Sequence, residues 1–308
     1  DSADTAFKVS QISKELGYPI NCIAIPKTVD NDLAVTDCCP GFGSAAKYIA
    51  TSIQEASLDV ASMSETSTKV FILEVMGRHA GWMAASSSLA RIDNDDPPHL
   101  ILFPEIIFDE KKFLESVKKI VKQRGFCVIV ASEGVKDKKM KFLAQSNTKD
   151  AFGHSQLGGV APFLSNLISE KLKLKNHWAV SDYLQRSARH ISSKTDLNHA
   201  EAVGKKAVQY AVRGMNGIMP VIKRGKGKKY SWKIEPAHLS IIANVEKKLP
   251  RSYISKNGFN VTNKAIEYLK PLIVGEAFPN FKNGIPIIKK LKLKLVDKKL
   301  SKWDGYQI

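Results

Sequence analysis

Lys69-Val70-Phe71-Ile72-Leu73-Glu74-Val75 is an almost unbroken apolar run, and it carries the clearest fold signal in the chain. A run without polar alternation is typical of a β-strand covered on both faces, as in a parallel sheet flanked by helices. Similar runs occupy residues 20–25, 100–103 and 126–130. Helical patterns separate the runs at about 25–30 residues per unit, which predicts an α/β fold with right-handed crossovers.

The helical patterns give the remaining elements. Ser2 or Asp4 can cap a first helix, which Gly17 would end and whose apolar face would hold Phe7, Val9, Ile12 and Leu16. Further helices are predicted at 41–58, up to about residue 89, and near 110–124. After a lysine-rich surface loop at 136–149, two more are predicted from about residues 157 and 199.

The composition is that of a globular protein. The 308 residues suffice for about two domains. The chain is 44% apolar and 25% charged, no apolar run reaches the roughly 18 residues that span a membrane, and no signal peptide is visible. The four cysteines show neither a disulfide framework nor a zinc spacing. We therefore predict a cytoplasmic protein with no membrane partner.

The net charge of +17 results from 47 basic and 30 acidic residues. Lysines cluster at 223–229 and at 289–294, and the second cluster alternates like an edge strand guarded by lysine. Neither cluster carries the interleaved aromatic residues of a nucleic-acid platform, and no nucleic-acid-binding motif occurs. A basic chain can bind nucleic acid, an anionic membrane surface or small phosphorylated substrates. We interpret both clusters as solvated surface and predict no nucleic-acid partner.

The richest polar stretch is Pro26-Lys27-Thr28-Val29-Asp30-Asn31-Asp32, directly after the apolar run at 20–25. In open α/β sheets, sites form where strands give way to loops at their carboxyl ends. Asp30 and Asp32 can divide the work of a base and a cation ligand, and Lys27 suits an anionic substrate. The residues alone equally allow a solvated polar turn.

The start of the chain is unusual for this architecture. A doubly wound domain normally begins with a strand and a glycine-rich phosphate loop, whereas here a helix comes first. Gly41-Phe42-Gly43-Ser44 is the nearest glycine-rich stretch, and it is a weak match. We therefore expect that a further N-terminal portion precedes Asp1.

Three segments together resemble the 6-phosphofructokinase family: the loop 26–32, Glu74-Val75-Met76-Gly77-Arg78-His79-Ala80-Gly81-Trp82, and Asp182-Tyr183-Leu184-Gln185-Arg186-Ser187-Ala188-Arg189-His190. The resemblance runs to about Pro279 and is greatest to the bacterial branch that uses pyrophosphate. It implies two doubly wound, Rossmann-like parallel-sheet domains, the first incomplete at its N-terminus. The donor domain would comprise 1–38 with about 185–235, and the sugar-phosphate domain about 39–184 with 236–308.

The resemblance also implies residue roles. Asp30 matches the family's proton acceptor, Arg78 would contact the phosphoryl oxygens, and Glu133 would orient sugar hydroxyls. Arg186 would face the sugar phosphate. The other substrate-binding positions implied are Thr28, Val29, Met76, Gly77, Tyr183, Leu184 and Gln185.

Two residues bear on the phosphoryl donor. Asp1 and Lys27 stand where ATP-using members of the family carry glycine. Asp1 would repel the α-phosphate of a nucleotide, and Lys27 would neutralise a leaving phosphate. Asp32 is a candidate Mg²⁺ ligand, with the principal ligand expected before Asp1. Lys69, His177 and Tyr183 depart from the ATP-using pattern, and Lys69 replaces an arginine that contacts a neighbouring subunit's phosphate.

The resemblance thus implies Mg²⁺-dependent transfer of a phosphoryl group from pyrophosphate to the 1-hydroxyl of fructose 6-phosphate, a reversible step of glycolysis, by a homodimer or homotetramer. Three alternatives remain open. One is an ATP-dependent 6-phosphofructokinase, another is a non-catalytic remnant or partner-binding subunit, and the third is a different acceptor such as sedoheptulose 7-phosphate.

Overall fold

The computed structural model describes residues 2–93, 95–143, 145–149, 155–157, 159–227, 229–295, 297–299 and 301. The chain divides into a compact unit that ends at Phe278 and a second unit that begins at Pro279. The helices are α1 (Ser2–Glu15), α2 (Phe42–Met63), α3 (Trp82–Ser86), α4 (Glu110–Arg124), α5 (Val160–Leu172), α6 (Leu184–Ser187), α7 (Lys194–Val212) and α8 (Asn263–Leu269). The strands are β1 (Val70–Val75), β2 (Leu100–Leu102), β3 (Cys127–Ser132), β4 (Gln145–Lys149), β5 (Ser155–Leu157), β6 (Asn176–Val180), β7 (Ile218–Arg224), β8 (Trp232–His238), β9 (Phe281–Lys282) and β10 (Ile285–Pro286).

A parallel sheet in the order β2-β3-β1-β6 forms the centre of the first unit. Val70 of β1 pairs with Cys127 of β3 on one side and with Asn176 of β6 on the other. Helices α2 and α3 pack on one face of the sheet, and α4 and α5 pack on the other. The apolar run at 69–75 is therefore a central strand covered on both faces, and the predicted α/β class with a parallel sheet is confirmed.

Local signals place the helices that cover the sheet. Asp109 caps α4 by accepting a hydrogen bond from the backbone N–H of Lys112 at 3.1 Å, and Gly125 ends the helix with a φ of 84°. Ile49 and Ile53 of α2 are fully buried on the face that the sequence predicted. The predicted helices at 41–58 and 110–124 are thus confirmed.

The first helix exists, but its predicted apolar face is right only for Phe7 and wrong for Val9, Ile12 and Leu16. Ser10 and Ser13 are buried, whereas Ile12 is 52% and Leu16 is 77% exposed. The helix instead packs through Ala3, Ala6 and Phe7 against a small cluster that includes Met219. Short side chains let the helix approach closely there, and the serine hydroxyls donate back to helix carbonyls.

The strand predicted at 20–25 is also wrong as a strand. Only Ile23 pairs, through a single parallel bridge to Ile218, while Ile20 and Ile25 are 40% and 49% exposed. A strand needs a ladder of backbone hydrogen bonds. Among the described residues, this segment pairs only with the start of β7, through one bridge.

Three predictions about lysine-rich segments need correction. The loop predicted at 136–149 includes β4, which pairs with β5 in an antiparallel hairpin. Residues 289–294, predicted as an edge strand, form none. Arg224, assigned to solvated surface, is mostly buried and pairs with Asp37 at 3.0 Å. The guanidinium also lies over the rings of Tyr230 and Tyr268, so its burial is compensated by charge and π contacts.

The cysteines are free thiols. Cys38, Cys39 and Cys127 are buried, and Cys22 is half-buried. Burial raises the pKa of Cys39 to about 11, which keeps its thiol protonated. None of the described helices is long and apolar enough to cross a membrane. The division into a donor and a sugar-phosphate domain stays a prediction.

Candidate functional site

Four segments meet at the carboxyl ends of the central strands. They are the acidic loop (residues 28–32), the loop after β1, Glu133 after β3, and α6 after β6. The backbone N–H of Met76 donates to Gln185 Oε1 at 3.3 Å, and that of Gly77 donates to Glu133 Oε1 at 3.3 Å. Because parallel strands end at the same edge, residues more than 100 positions apart become neighbours.

Two glycines make this approach feasible. Gly77 has a φ of 136°, and a β-carbon there would lie 2.7 Å from the carbonyl oxygen of Ala80. A β-carbon at Gly134 would clash with the backbone carbonyl of Arg78. The Ser132 hydroxyl donates to the Gly77 carbonyl at 2.5 Å, which fixes the peptide group between Gly77 and Arg78. The loops after β1 and β3 therefore touch backbone to backbone.

Asp30 in the acidic loop has a buried carboxylate whose pKa is raised. Its backbone N–H donates to Thr28 Oγ1 at 3.1 Å, and its Oδ1 is buried without a hydrogen-bond partner among the described residues. Burial and then the Asp32 carboxylate raise the pKa of Asp30 to about 6, against the charges of Arg78, Arg186 and His79. At neutral pH Asp30 is therefore mostly ionised, and its unpartnered carboxylate oxygen is suited to accepting a proton.

Glu133 is a second carboxyl with a shifted pKa. Burial raises the pKa of Glu133 to about 7, the N–H of Gly77 opposes the shift, and the charge of Asp30 adds to it. Two neighbouring carboxyls that titrate near neutrality are suited to moving and orienting protons on a bound hydroxyl.

A cavity of about 400 Å³ opens beside the acidic loop, between the start of α2, α6 and α7. Lys27, Arg186 and Arg189 line it. Asp196 also lines it, but its carboxylate is occupied by the backbone N–H groups of Gly41 and Ser44 at 2.9 and 3.1 Å. The exposed charge of the cavity is therefore positive, which suits an anionic ligand.

The remaining predicted site residues differ in how far they are buried. Val29 packs against the core, and Asp32 is half-buried. Tyr183 and Leu184 are 62% and 63% exposed, and the Tyr183 ring lies 4.1 Å below the Arg186 guanidinium. Asp1 lies outside the described residues.

Lys69 serves its own chain. Its Nζ donates to the backbone carbonyl of Ser64 and, at 3.1 Å, to the backbone carbonyl of Glu65. A cation at these carbonyls stabilises the end of α2. The Lys69 ammonium thus caps a helix of its own chain, and a contact of residue 69 with a neighbouring subunit's phosphate stays a prediction.

Sequence reasoning missed several residues that hold the site. Gly134 carries the backbone contact described above, Glu105 accepts from the N–H of Gly81 at 2.9 Å, and Lys247 donates to Asn31 Oδ1 at 3.2 Å. Glycine directly after Glu133 was an available signal. Lys247 had none, because the acceptors of its ammonium lie 210–216 positions earlier in the chain.

The described residues alone do not complete a metal site. No group of three or more His, Cys, Asp or Glu side chains among them is arranged to hold an ion. Asp30 and Asp32 supply two carboxylates, which is fewer oxygen ligands than a hard divalent cation takes from protein and water together.

Comparisons with known proteins identify the family. The family model described as Phosphofructokinase matches residues 2–211. The pyrophosphate–fructose 6-phosphate 1-phosphotransferase of Xanthomonas campestris pv. campestris is 56% identical over 99% of this chain and 73% of that protein. The protein of the same name from Halomonas elongata is 57% identical over 97% of this chain and 72% of its own length. The crystal structure of the pyrophosphate-dependent phosphofructokinase of Marinobacter aquaeolei matches 97% of this chain and 72% of its own, with 56% identity and a TM-score of 0.88. The chain belongs to the phosphofructokinase family.

Proposed function

We propose that this chain transfers a phosphoryl group from pyrophosphate to the 1-hydroxyl of fructose 6-phosphate, giving fructose 1,6-bisphosphate and phosphate. The observation that carries the proposal is the Asp30 carboxylate, which has a buried, unpartnered oxygen next to two arginines among the described residues. Relatives above 50% identity carry the name of this reaction, so the ATP-dependent alternative has less support.

Asp30 acts as the base. Its carboxylate takes the proton of the sugar 1-hydroxyl while that oxygen forms a bond to the terminal phosphorus of pyrophosphate. The bond between that phosphorus and the bridging oxygen breaks, and phosphate leaves with the electron pair. A pKa of about 6 keeps Asp30 ionised at neutral pH and makes it a better proton acceptor than an ordinary aspartate.

Arg78 and Glu133 position the reacting groups. The guanidinium fork of Arg78 matches the oxygens of the transferred phosphoryl group. Glu133, held by the Gly77 N–H, orients a sugar hydroxyl. Gln185 fixes the backbone at Met76, so these groups are in place before substrate binds. Arg186 takes the sugar phosphate, with the exposed Tyr183 and Leu184 beside it.

Lys27 and Asp1 determine the donor. Lys27 is exposed at the cavity, where its ammonium can neutralise the leaving phosphate. A carboxylate at Asp1 repels the α-phosphate of a nucleotide, and pyrophosphate has no such group.

Phosphofructokinase-type enzymes generally use a divalent metal. We propose that the metal is Mg²⁺ and that Asp32 is one of its ligands, with others outside the described residues. Bound Mg²⁺ would supply charge neutralisation at the phosphate oxygens.

A coupled assay for fructose 1,6-bisphosphate tests the function, with pyrophosphate and ATP offered separately. We expect turnover with pyrophosphate. Turnover with ATP alone would overturn the donor assignment, and fructose 6-phosphate binding without turnover would favour the non-catalytic alternative. Replacing Lys27 and Asp1 together by glycine should shift the ratio of the two rates towards ATP. Sedoheptulose 7-phosphate, offered in parallel, tests the acceptor.

We also propose a homo-oligomer, a dimer or a tetramer, in the cytoplasm. Among the described residues β6 is an edge strand of the central sheet, and its Trp178 and Val180 are 46% and 39% exposed. Apolar side chains on an open edge favour contact with another chain. Light scattering in solution measures the mass, and a strictly monomeric species would contradict the proposal.

A further inference from the structure

Residues 246–249, the bridging segment, join two loops of the site. The backbone N–H of Lys247 donates to the carbonyl of Asp32 at 2.6 Å. The carbonyl of Lys247 accepts from Trp82 Nε1 at 2.8 Å. The N–H of Leu249 donates to Glu105 Oε1 at 2.9 Å, and the same oxygen accepts from the N–H of Gly81. One short segment therefore holds the acidic loop and the loop from 76 to 82.

The Lys247 ammonium adds three hydrogen bonds to the acidic loop and the residues after it. Its Nζ donates to Asn31 Oδ1 at 3.2 Å, to the Thr36 carbonyl at 3.1 Å and to the Asp37 carbonyl at 2.8 Å. These three acceptors match the three protons of an ammonium group. Burial lowers the pKa of Lys247, and the nearby thiols and carboxylates oppose that shift.

Asn31 transmits this anchorage to the reactive carboxylates. Its side chain is fully buried, and its φ of 56° turns the chain between Asp30 and Asp32. Asn31 Oδ1 also accepts from the N–H of Cys39 at 3.0 Å, and Nδ2 donates to the Tyr268 hydroxyl at 2.9 Å. Since Asn31 points inward, the directions of its two neighbours depend on it.

We propose that Lys247 is a positioning residue for phosphoryl transfer, which fixes the acidic loop relative to the loop that carries Arg78. This inference rests on the proposed function, because it concerns the base of that reaction. The contacts of Lys247 go to loop backbone and to Asn31 and Trp82, which flank the site. Loss of the ammonium would remove the three hydrogen bonds that hold Asn31 and the residues after the acidic loop. Asp30 could then shift relative to Arg78, whose loop stays attached to the bridging segment through the Lys247 carbonyl.

Lys247→Met tests the proposal, because methionine keeps the apolar stem and removes the ammonium. We expect kcat to fall about 10–100-fold, since small misplacements of reacting groups are costly. The KM for fructose 6-phosphate should change less than about threefold, because Arg186 belongs to α6 and keeps the sugar phosphate. Lys248→Met, at the exposed neighbouring position, should match the unmodified protein. A kcat within twofold of the unmodified value, or an equal change in kcat and KM, would overturn the proposal.

Tyr268→Phe provides a milder second variant in case Lys247→Met does not fold. It removes the Tyr268 hydroxyl, which donates to the Asp37 carbonyl and accepts from Asn31. We expect a smaller fall in kcat, about 3–10-fold, again with little change in KM. An unchanged kcat in this variant would also contradict the proposal.

Hydrogen exchange gives a readout that does not depend on turnover. In Lys247→Met, the amide of Cys39, which is bonded to Asn31 Oδ1, should exchange faster, while those of Gly81, β1 and β3 keep their rates. Uniformly faster exchange, or no change at all, would overturn the positioning role. If the unmodified protein turned over neither donor, the proposed function would fail, and this measurement would still decide whether Lys247 anchors the loops.

Discussion

The two walls of the site are built in opposite ways. On the carboxylate wall, Asp30 and Glu133 are largely buried, and Gly77 and Gln185 fix the adjoining backbone. On the cationic wall, Lys27 and Arg186 are exposed at the cavity. Proton transfer tolerates little misplacement, and its groups are held by the fold. Phosphate recognition relies on long cationic side chains that lose rotamer freedom when the ligand binds.

The contrast also separates the two kinds of electrostatic effect. A buried carboxylate has its pKa raised by loss of water, so the carboxylate wall has altered chemistry before any ligand arrives. Exposed cations are screened by solvent and salt, so their contribution grows only when an anion displaces water. Substitutions on the carboxylate wall should therefore affect kcat, whereas substitution of Arg186, which holds the sugar phosphate, should mainly affect KM.

Asp30→Asn should cause the largest loss. The amide keeps the shape but cannot accept the proton, so we expect kcat to fall about 10²–10⁴-fold. The melting temperature should stay the same or rise, because the variant removes a poorly solvated charge. Steady-state kinetics and calorimetry measure both, with the exposed Asp59→Asn as the control. Full turnover in Asp30→Asn would refute its role as the base.

Gly134→Ala should come next. Its methyl group would clash with the Arg78 carbonyl, so the loops after β1 and β3 must separate. We expect about a 10²-fold loss of kcat and a loss of about 1–3 kcal/mol in the free energy of unfolding. Gly204→Ala is a matched control, since a β-carbon at Gly204 in α7 meets nothing within 4 Å. That variant should be slightly stabilised; equal behaviour of the two would contradict the proposed contact.

Arg186→Lys should have a smaller effect, mainly on KM. Lysine keeps the charge and loses the bidentate fork, so we expect the KM for fructose 6-phosphate to rise about tenfold at a similar kcat. Initial-rate measurements over a range of sugar phosphate check this. A fall in kcat at constant KM would contradict this role in sugar-phosphate binding and would indicate that Arg186 acts in the transition state.

Glu133→Gln should have its clearest effect on the pH dependence of stability. The pKa of Glu133 is about 7 against an ordinary 4.5, so the folded state binds the extra proton between these values. Stability should therefore rise as the pH falls from about 7 towards 5. The slope should be shallower in Glu133→Gln, as thermal denaturation at each pH would show. An unchanged slope would argue against the raised pKa. In the unmodified protein, kcat/KM should fall below pH 6 as Asp30 is protonated.

The sequence predicted the parts of the fold that local signals control. The apolar run of β1 and the capped helix α4 could be located because continuous hydrophobicity and capping residues act within a few positions. The strand at 20–25 and the face of α1 could not. The exposed Ile12 and Leu16 show that an apolar pattern indicates which side chains can be buried. Which of them are buried depends on the segments that pack against the helix.

The candidate site divides in the same way. Asp30, Arg78, Glu133 and Arg186 were identified by resemblance, and the structure places them around one site. Asn31 and Lys247 hold that site through contacts across 216 positions of the chain. Neither has a distinctive local pattern, because the geometry that gives them meaning arises only when distant segments pack.

The cysteines offer a way to measure movement of the acidic loop. Alkylating reagents react with accessible thiolates, and Cys38, Cys39 and Cys127 are buried with their pKa values raised. Cys22 alone among the four is half-buried, and it lies five positions before Lys27. A fluorophore coupled to the folded protein should therefore attach selectively at Cys22, where it would report on the acidic loop with no cysteine removed.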